Sequence, residues 1–307
     1  MQNLIDALTN SIGTVLLGKE KQIKLALSCL LADGHLLIED LPGMGKTTLA
    51  HALANVFGLN YTRVQFTSDL LPADILGVSI FNQAESSFEF HPGPVFTQVL
   101  LADEINRTTP KTQSALLEAM EEGQVSVEGK TRPLPKPFFV IATQNPLTQS
   151  GTFPLPESQL DRFLMRIELG YPDPRAEREL FQGLDPRQAL KELKPGITAA
   201  QIEQIRREIR AVKASDGLLD YLQRLIHYTR TSKEFSFGLS PRGALALLHC
   251  AKTWAVVHGR KYVIPEDIQA VMPSVLGHRL GDATDVGDQS GYALVDKVLN
   301  GVDVIAA

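Results

Sequence analysis

The stretch His35-Leu36-Leu37-Ile38-Glu39-Asp40-Leu41-Pro42-Gly43-Met44-Gly45-Lys46-Thr47-Thr48 runs from a short apolar segment through a glycine-containing loop into a helical pattern. The run at 35–38 is sized for a buried parallel strand, and the spacing over 46–57 predicts a helix. A glycine loop held between a strand and a helix is a phosphate cradle, because its backbone N–H groups and the helix N-terminus converge on an anion. Pro42, Gly43, Met44 and Gly45 form the loop, and the two glycines let the backbone approach a β-phosphate. Lys46 brings a point charge to the β- and γ-phosphates, Thr47 places a hydroxyl where Mg²⁺ must be held, and Thr48 stands beside it in the cradle. One position departs from the strict pattern: Asp40 stands where its first glycine belongs.

The same rhythm continues outward. Helical spacing precedes the loop over 4–32, and strands are expected at 61–65, 99–102, 138–143 and 165–169, with a helix around 112–121. This alternation predicts an α/β fold, a parallel sheet with helices on both faces. Residues 78–90 alternate like two strands around the polar tip 82–87. Residues 124–127 pair with 132–134 across Gly129, so two β-hairpins are inserted on the core. The chain becomes rich in proline and charge between Tyr171 and Pro195, after which only helical periodicity remains, over 198–212, 217–231, 241–258 and 265–276. The expected organisation is a nucleotide-binding core over 1–173, a linker over 174–190, and an all-α domain with a tail over 191–307. The tail, with Gly281, Asp282, Asp285, Gly287 and Asp288, takes no assignment.

The strand at 99–102 ends in Asp103-Glu104, which delivers two carboxylates to the carboxyl edge of the sheet, where ligands of open α/β folds bind. Asp103 is expected to hold hydrated Mg²⁺, and Glu104 to polarise the attacking water as general base. The strand at 138–143 ends in Gln144-Asn145-Pro146. If it lies beside the strand that precedes the loop, Asn145 can orient water or sense a γ-phosphate.

Composition narrows the classes. Among 307 residues, 44% are hydrophobic, enough for a sizeable core, and 30 Lys+Arg against 35 Asp+Glu leave a net charge of −5. That balance lacks the basic excess of a general nucleic-acid binder. No apolar run reaches a membrane span and no basic leader precedes one, so membrane insertion is not expected and a cytoplasmic location is. The two cysteines, Cys29 and Cys250, read as buried core residues.

Four runs carry a resemblance: Asp103-Glu104-Ile105-Asn106-Arg107, Gln113-Ser114-Ala115-Leu116-Leu117-Glu118, Ala142-Thr143-Gln144-Asn145-Pro146 and Leu155-Pro156-Glu157-Ser158-Gln159-Leu160-Asp161-Arg162-Phe163. In this order they resemble the MoxR family of AAA+ ATPases, and the resemblance extends to about Leu276. It implies an αβα nucleotide domain, a helical lid, and a ring, usually hexameric, with ATP between subunits. Arg162 is similar to the arginine finger that reaches a neighbour's γ-phosphate; the bland alternative is a surface pair with Asp161 or Glu157. Arg107 and Arg166 are weaker interface candidates, against ordinary salt bridges. Arg242, on a helix that Ser240 caps and Pro241 begins, matches sensor 2, linking lid angle to nucleotide state.

The resemblance also implies a chaperone-like motor that assembles or activates a protein client, often with a von Willebrand factor A-domain protein. The alternatives are a chelatase-type subunit driving metal insertion and a nucleotide-gated scaffold that seldom turns over. The tip at 82–87 has no Lys or Arg, so a DNA-translocating motor is hard to motivate. The second hairpin offsets Lys130, Arg132 and Lys136 with nearby Glu118, Glu121, Glu122 and Glu128, and reads as a solvated face.

Overall fold

A computed structural model describes residues 2–145, 151–182, 185–282 and 291–305; Pro146 and the tail positions Asp285, Gly287 and Asp288 lie outside the described residues. The first amphipathic stretch folds as α1 (Gln2–Gly13) and α2 (Glu20–Leu31), which bury Ile5, Leu8 and Ile12, then Ile23, Leu27 and Leu30. The strand–loop–helix unit follows as β1 (Leu36–Glu39) and α3 (Lys46–Phe57). Next come β2 (Tyr61–Gln65), α4 (Pro72–Leu76) and the hairpin β3 (Gly77–Asn82) with β4 (Ser87–Pro92). β5 (Val99–Asp103), a 3₁₀ turn at Ile105–Arg107 and α5 (Pro110–Glu122) lead into a second hairpin, β6 (Gln124–Val127) with β7 (Lys130–Pro133). Glu128 and Gly129 both have positive φ, so this turn uses only two residues and β7 starts at Lys130, earlier than the alternation suggested. β8 (Phe139–Gln144), α6 (Glu157–Leu160) and β9 (Met165–Ile167) complete the core.

The five core strands are all parallel, in the order β2-β5-β8-β1-β9. Alternate residues go to opposite faces: Leu36, Ile38, Leu101 and Ile141 join the cluster with α1–α3, while Leu37, Leu100, Val140 and Ala142 pack toward α5. His35 leads into β1 and is half-buried. Its Nδ1 accepts the Val140 N–H (3.0 Å) and its Nε2 faces the Met120 carbonyl (3.2 Å), which assigns the neutral Nε2–H tautomer. Burial pushes its pKa down to about 4, against the opposing pull of the Met120 carbonyl. The unfolded histidine binds a proton near pH 6.5 and the folded one does not, so stability falls as pH drops from about 6.5 toward 4. About 2 kcal/mol is lost by pH 5 from this group. Denaturant unfolding at pH 7, 6 and 5 checks this; a flat profile contradicts it.

The segment expected as linker folds as α7 (Pro174–Phe181) and α8 (Pro186–Glu192). The lid follows with α9 (Ala199–Ala211), α10 (Asp216–Thr231), β10 (Phe235–Phe237), α11 (Pro241–Val257), α12 (Pro265–Leu276), β11 (Gly281–Asp282) and α13 (Gly291–Gly301). Thr198, Ser215 and Ser240 each cap a helix by accepting a backbone N–H three residues on. Helical periodicity alone did not anticipate the antiparallel pair β10–β11, which at three and two residues is too short to show alternation.

Lid and core are not separate bodies. Leu247, Cys250, Ile268 and Val271 of the lid belong to the same buried cluster as Leu8, Ile12, Ile23 and Leu27. Both cysteines are buried free thiols, as their reading predicted, and burial pushes the Cys250 thiol up to about 12. A buried guanidinium adds a clamp: Arg279 donates to Asp161 Oδ1 (2.6 Å) and to the carbonyls of Asp161 (3.1 Å), Phe163 (2.7 Å), Leu164 (3.2 Å) and Val275 (2.5 Å). Moving this lid against its own core would tear both. Arg279 is buried and Asp161 only half-buried, so losing the carboxylate leaves a buried charge held by carbonyls alone, and Asp161→Ala should cost about 1–3 kcal/mol of unfolding free energy. A midpoint in urea unchanged from wild type would refute the clamp.

Candidate functional site

β1 ends at Glu39 on the carboxyl edge of the sheet, and the loop at 40–45 turns there into α3. Gly43 (φ 85°) and Gly45 (φ 89°) hold left-handed conformations that only glycine takes without strain, which explains both glycines. Lys46 is buried, and its ammonium donates to the Asp40 carbonyl, to Asn145 Oδ1 (2.7 Å) and weakly to the Gln144 carbonyl (3.5 Å). Burial lowers its pKa, a pull opposed by Asp40, Asp103 and Glu104. All of its acceptors are oxygens that a phosphate oxygen can replace. Thr47 and Thr48 follow in the first turn of α3.

The acidic pair lies one strand beyond. β5 is buried throughout and ends on Asp103, whose Oδ1 accepts the Thr143 hydroxyl (2.6 Å) and whose Oδ2 accepts Arg63 Nε (3.0 Å) and Nη2 (2.6 Å). Glu104 takes the left-handed region (φ 57°, ψ 50°), a strained conformation for a non-glycine residue that costs about 1–3 kcal/mol. The Thr143 hydroxyl holds that turn by accepting the Glu104 N–H (2.9 Å). So turned, the carboxylate meets Asn145 Nδ2 on Oε1 and, on Oε2, Gln65 Nε2 and Arg107 Nε, each at 2.9 Å.

β8 does lie beside β1, as the reading of Asn145 required. The Asn145 side chain spans the site: its oxygen accepts from Lys46 and its nitrogen donates to Glu104. Asn106 anchors this residue by donating to the Asn145 backbone carbonyl (3.2 Å). The fold therefore brings Lys46, Asp103, Glu104 and Asn145 together around the loop. Sequence reasoning missed Arg63, Gln65 and Thr143; Gln65 and Thr143 lie at the carboxyl ends of recognised strands, but which strands are neighbours was not legible. A neutral oxygen, the Thr47 hydroxyl, and an anionic one, Asp103, form a hard donor set that fits Mg²⁺, which takes one or two protein oxygens and completes its shell with phosphates and water. Lys46→Ala removes the loop's cation and should weaken nucleotide binding at least tenfold, about 1.4 kcal/mol. Titration with a fluorescent ATP analogue reads this, and unchanged affinity would remove Lys46 from the site.

Arg162 and Arg242 lie elsewhere. Arg162 precedes β9, which runs parallel to β1, so it sits at the amino edge of the sheet; Leu164 there donates to the His35 carbonyl (2.9 Å). Arg242 joins it: Glu121 accepts Arg162 Nη2 on Oε2 (3.0 Å) and Arg242 Nη1 on Oε1 (3.1 Å). Arg162 thus pairs with Glu121 rather than with Asp161 or Glu157. Strands rise about 3.3 Å per residue, so four residues of β1 set this edge roughly 13 Å from the subunit's own loop. Arg107 and Arg166 form pairs within the chain, with Glu104 and with Glu39 (3.1 Å).

Residues 35–165 match the model of the ATPase family associated with various cellular activities (AAA), and residues 227–297 match the AAA lid domain. The chain is 43% identical over 279 residues to Chaperone MoxR1 of Mycobacterium tuberculosis, covering 87% of this chain and 72% of that one. It is 32% identical over 295 residues to Protein MoxR of Methylorubrum extorquens, covering 88% and 85%. This chain belongs to the MoxR family of AAA+ ATPases. The MoxR-type core and lid recur in a crystal structure from Cytophaga hutchinsonii, with a TM-score of 0.87, 36% identity, and coverage of 99% of this chain and 96% of that one. The uncharacterized protein YeaC of Bacillus subtilis is 44% identical over 304 residues, 98% of this MoxR-family chain and 95% of its own length. Among the described residues, no helix is long and apolar enough to cross a membrane.

Proposed function

We propose that this MoxR-family protein hydrolyses ATP with Mg²⁺ at sites shared between neighbouring subunits of a ring, a hexamer by family resemblance. The observation that carries this reading is the division of the machinery between two edges of one sheet: Lys46, Asn145 and Glu104 at one edge, Arg162 and Arg242 at the other. Unlike surfaces on one subunit that meet head to tail form a ring when the rotation between neighbours closes. Two arginines at one edge then serve the nucleotide held at the next subunit's opposite edge.

In this reading Gly43, Gly45 and the first turn of α3 bind the phosphates, and Lys46 leaves its carbonyl partners for them. Mg²⁺, when bound, neutralises charge on the β- and γ-phosphate oxygens. Thr47 and Asp103 would hold it, with Arg63 giving up Asp103. Glu104 accepts a proton from the attacking water, which forms the new P–O bond as the bond to the leaving diphosphate breaks. Asn145 spans Lys46 and Glu104, so filling the loop changes the donors on the base. Arg162 stabilises charge on the transferred phosphoryl group from the next subunit, and Arg242 accompanies it.

The work done with this energy is chaperone-like remodelling of a protein client in the cytoplasm, together with a von Willebrand factor A-domain protein. The name of the mycobacterial relative supports the chaperone part. A second reading, a nucleotide-gated scaffold, is favoured by the three donors that occupy Glu104. ATP turnover measured against protein concentration, with molar mass by light scattering on the same samples, separates the two. Turnover that rises with assembly supports the ring ATPase. Assembled protein that binds ATP without turnover supports the scaffold.

A further inference from the structure

Asp40, which stands where the strict loop pattern has glycine, is bonded in a way glycine cannot be. Its N–H donates to the Gln144 carbonyl (3.2 Å), in line with the β1–β8 ladder. Its carboxylate accepts three backbone N–H groups: Leu41 on Oδ1 (2.7 Å), and Leu169 (2.7 Å) and Gly170 (2.6 Å) on Oδ2. The β1–β9 ladder ends at the Ile38–Ile167 pair, and beyond it the carboxylate takes the place of a strand partner. Leu169 is buried, so without Asp40 its N–H would lose its acceptor at a desolvated position.

Leu169 and Gly170 are where the chain leaves the sheet for the lid. One residue on, the Tyr171 carbonyl accepts Lys19 Nζ (2.5 Å), and Asp173 Oδ1 accepts the N–H groups of Arg175 and Ala176 (2.9 Å each) at the start of α7. The same two residues wall a cavity of about 300 Å³ whose other side is Ala270 and Pro273 of α12 and Tyr292 of α13. The connector is thus held by the phosphate loop on one side and faces lid helices on the other. The Asp40 carbonyl also accepts the Lys46 ammonium, so the charge that a phosphate draws away rests on the residue whose side chain grips the connector. By charge alone Asp40 is unfavourable here, because a carboxylate beside the loop repels phosphate.

We propose that Asp40 is a positioning residue that clips the phosphate loop to the connector at Leu169–Gly170, so that filling the loop is felt where the chain enters the lid. This rests on the nucleotide-binding reading above. The test is amide hydrogen exchange on the full chain, with and without a non-hydrolysable ATP analogue and Mg²⁺, for wild type, Asp40→Gly and Asp40→Asn. In wild type, peptides covering 168–172 should exchange slowly and respond to the analogue. In Asp40→Gly they should exchange at least tenfold faster and no longer respond, although the analogue still protects 43–48. Asp40→Asn keeps one acceptor oxygen and should lie between. Exchange at 168–172 that matches wild type in Asp40→Gly, or that keeps the wild-type response, overturns the proposal.

If Asp40→Gly also exchanges fast throughout α3, it has unfolded and Asp40→Asn decides. A threefold or larger increase confined to 168–172 with a weakened response supports the clip, and no difference from wild type rejects it. Failure of the analogue to protect 43–48 in wild type defeats the nucleotide reading instead, and the nucleotide-free comparison still judges the clip.

Discussion

Glu104→Gln is expected to lower ATP turnover about 10²- to 10⁴-fold, the usual contribution of a positioned general base. Nucleotide affinity should stay within about threefold, a change under 1 kcal/mol, because Glu104 touches neither the loop glycines nor Lys46. The amide has nearly the same shape and can still accept from Asn145; its NH2 no longer accepts from Gln65 and Arg107, but the strained turn is held through the Glu104 N–H by Thr143 and keeps that bond. What it lacks is the ability to take a proton from water. Single-turnover assays with saturating ATP, alongside equilibrium binding, separate the two effects. Turnover within a few-fold of wild type would move the base elsewhere, and equal losses in binding and turnover would mean the site had collapsed.

Arg162→Ala is expected to lower turnover about 10³-fold or more, as removal of an arginine finger does, again with binding intact. The residue lies at the edge of the sheet away from its own loop, so the loss must come from a neighbour's site. Mixing decides this without reference to ring size. In a ring assembled at random from equal amounts of Arg162→Ala and Glu104→Gln subunits, about one interface in four joins an intact Glu104 to an intact Arg162 from the next subunit. Activity should return to a sizeable fraction of wild type although each variant alone is inactive. No recovery in mixed rings, with mixing verified by mass, would place Arg162 outside the catalytic site. The shared bonding to Glu121 predicts the same recovery for Arg242→Ala.

The phosphate loop and the acidic pair were legible because their chemistry is local: two glycines, a lysine and a threonine at a helix start, and carboxylates at a strand end, are each set by a few consecutive residues. The alternation of buried strands and helices was legible for the same reason, since apolar period is a property of short windows. Sheet order was not. That β8 lies between β5 and β1 places Asn145 and Thr143 beside the acids, and it depends on pairing between segments 40 and 105 residues apart. Arg63 and Gln65 were missed because nothing near them in sequence marks β2 as the partner of β5.

The sequence by itself determined the family, the αβα core with its helical lid, and the residue types available for phosphate chemistry. Only the tertiary structure decided that Arg242 stands with Arg162 at the edge opposite its own loop, that Arg279 and a continuous apolar cluster tie lid to core, and that Asp40 holds the connector instead of merely replacing a glycine. Each of these depends on which surfaces meet in three dimensions. Hydrogen bonds and burial between segments far apart in the chain leave no periodic trace in either one.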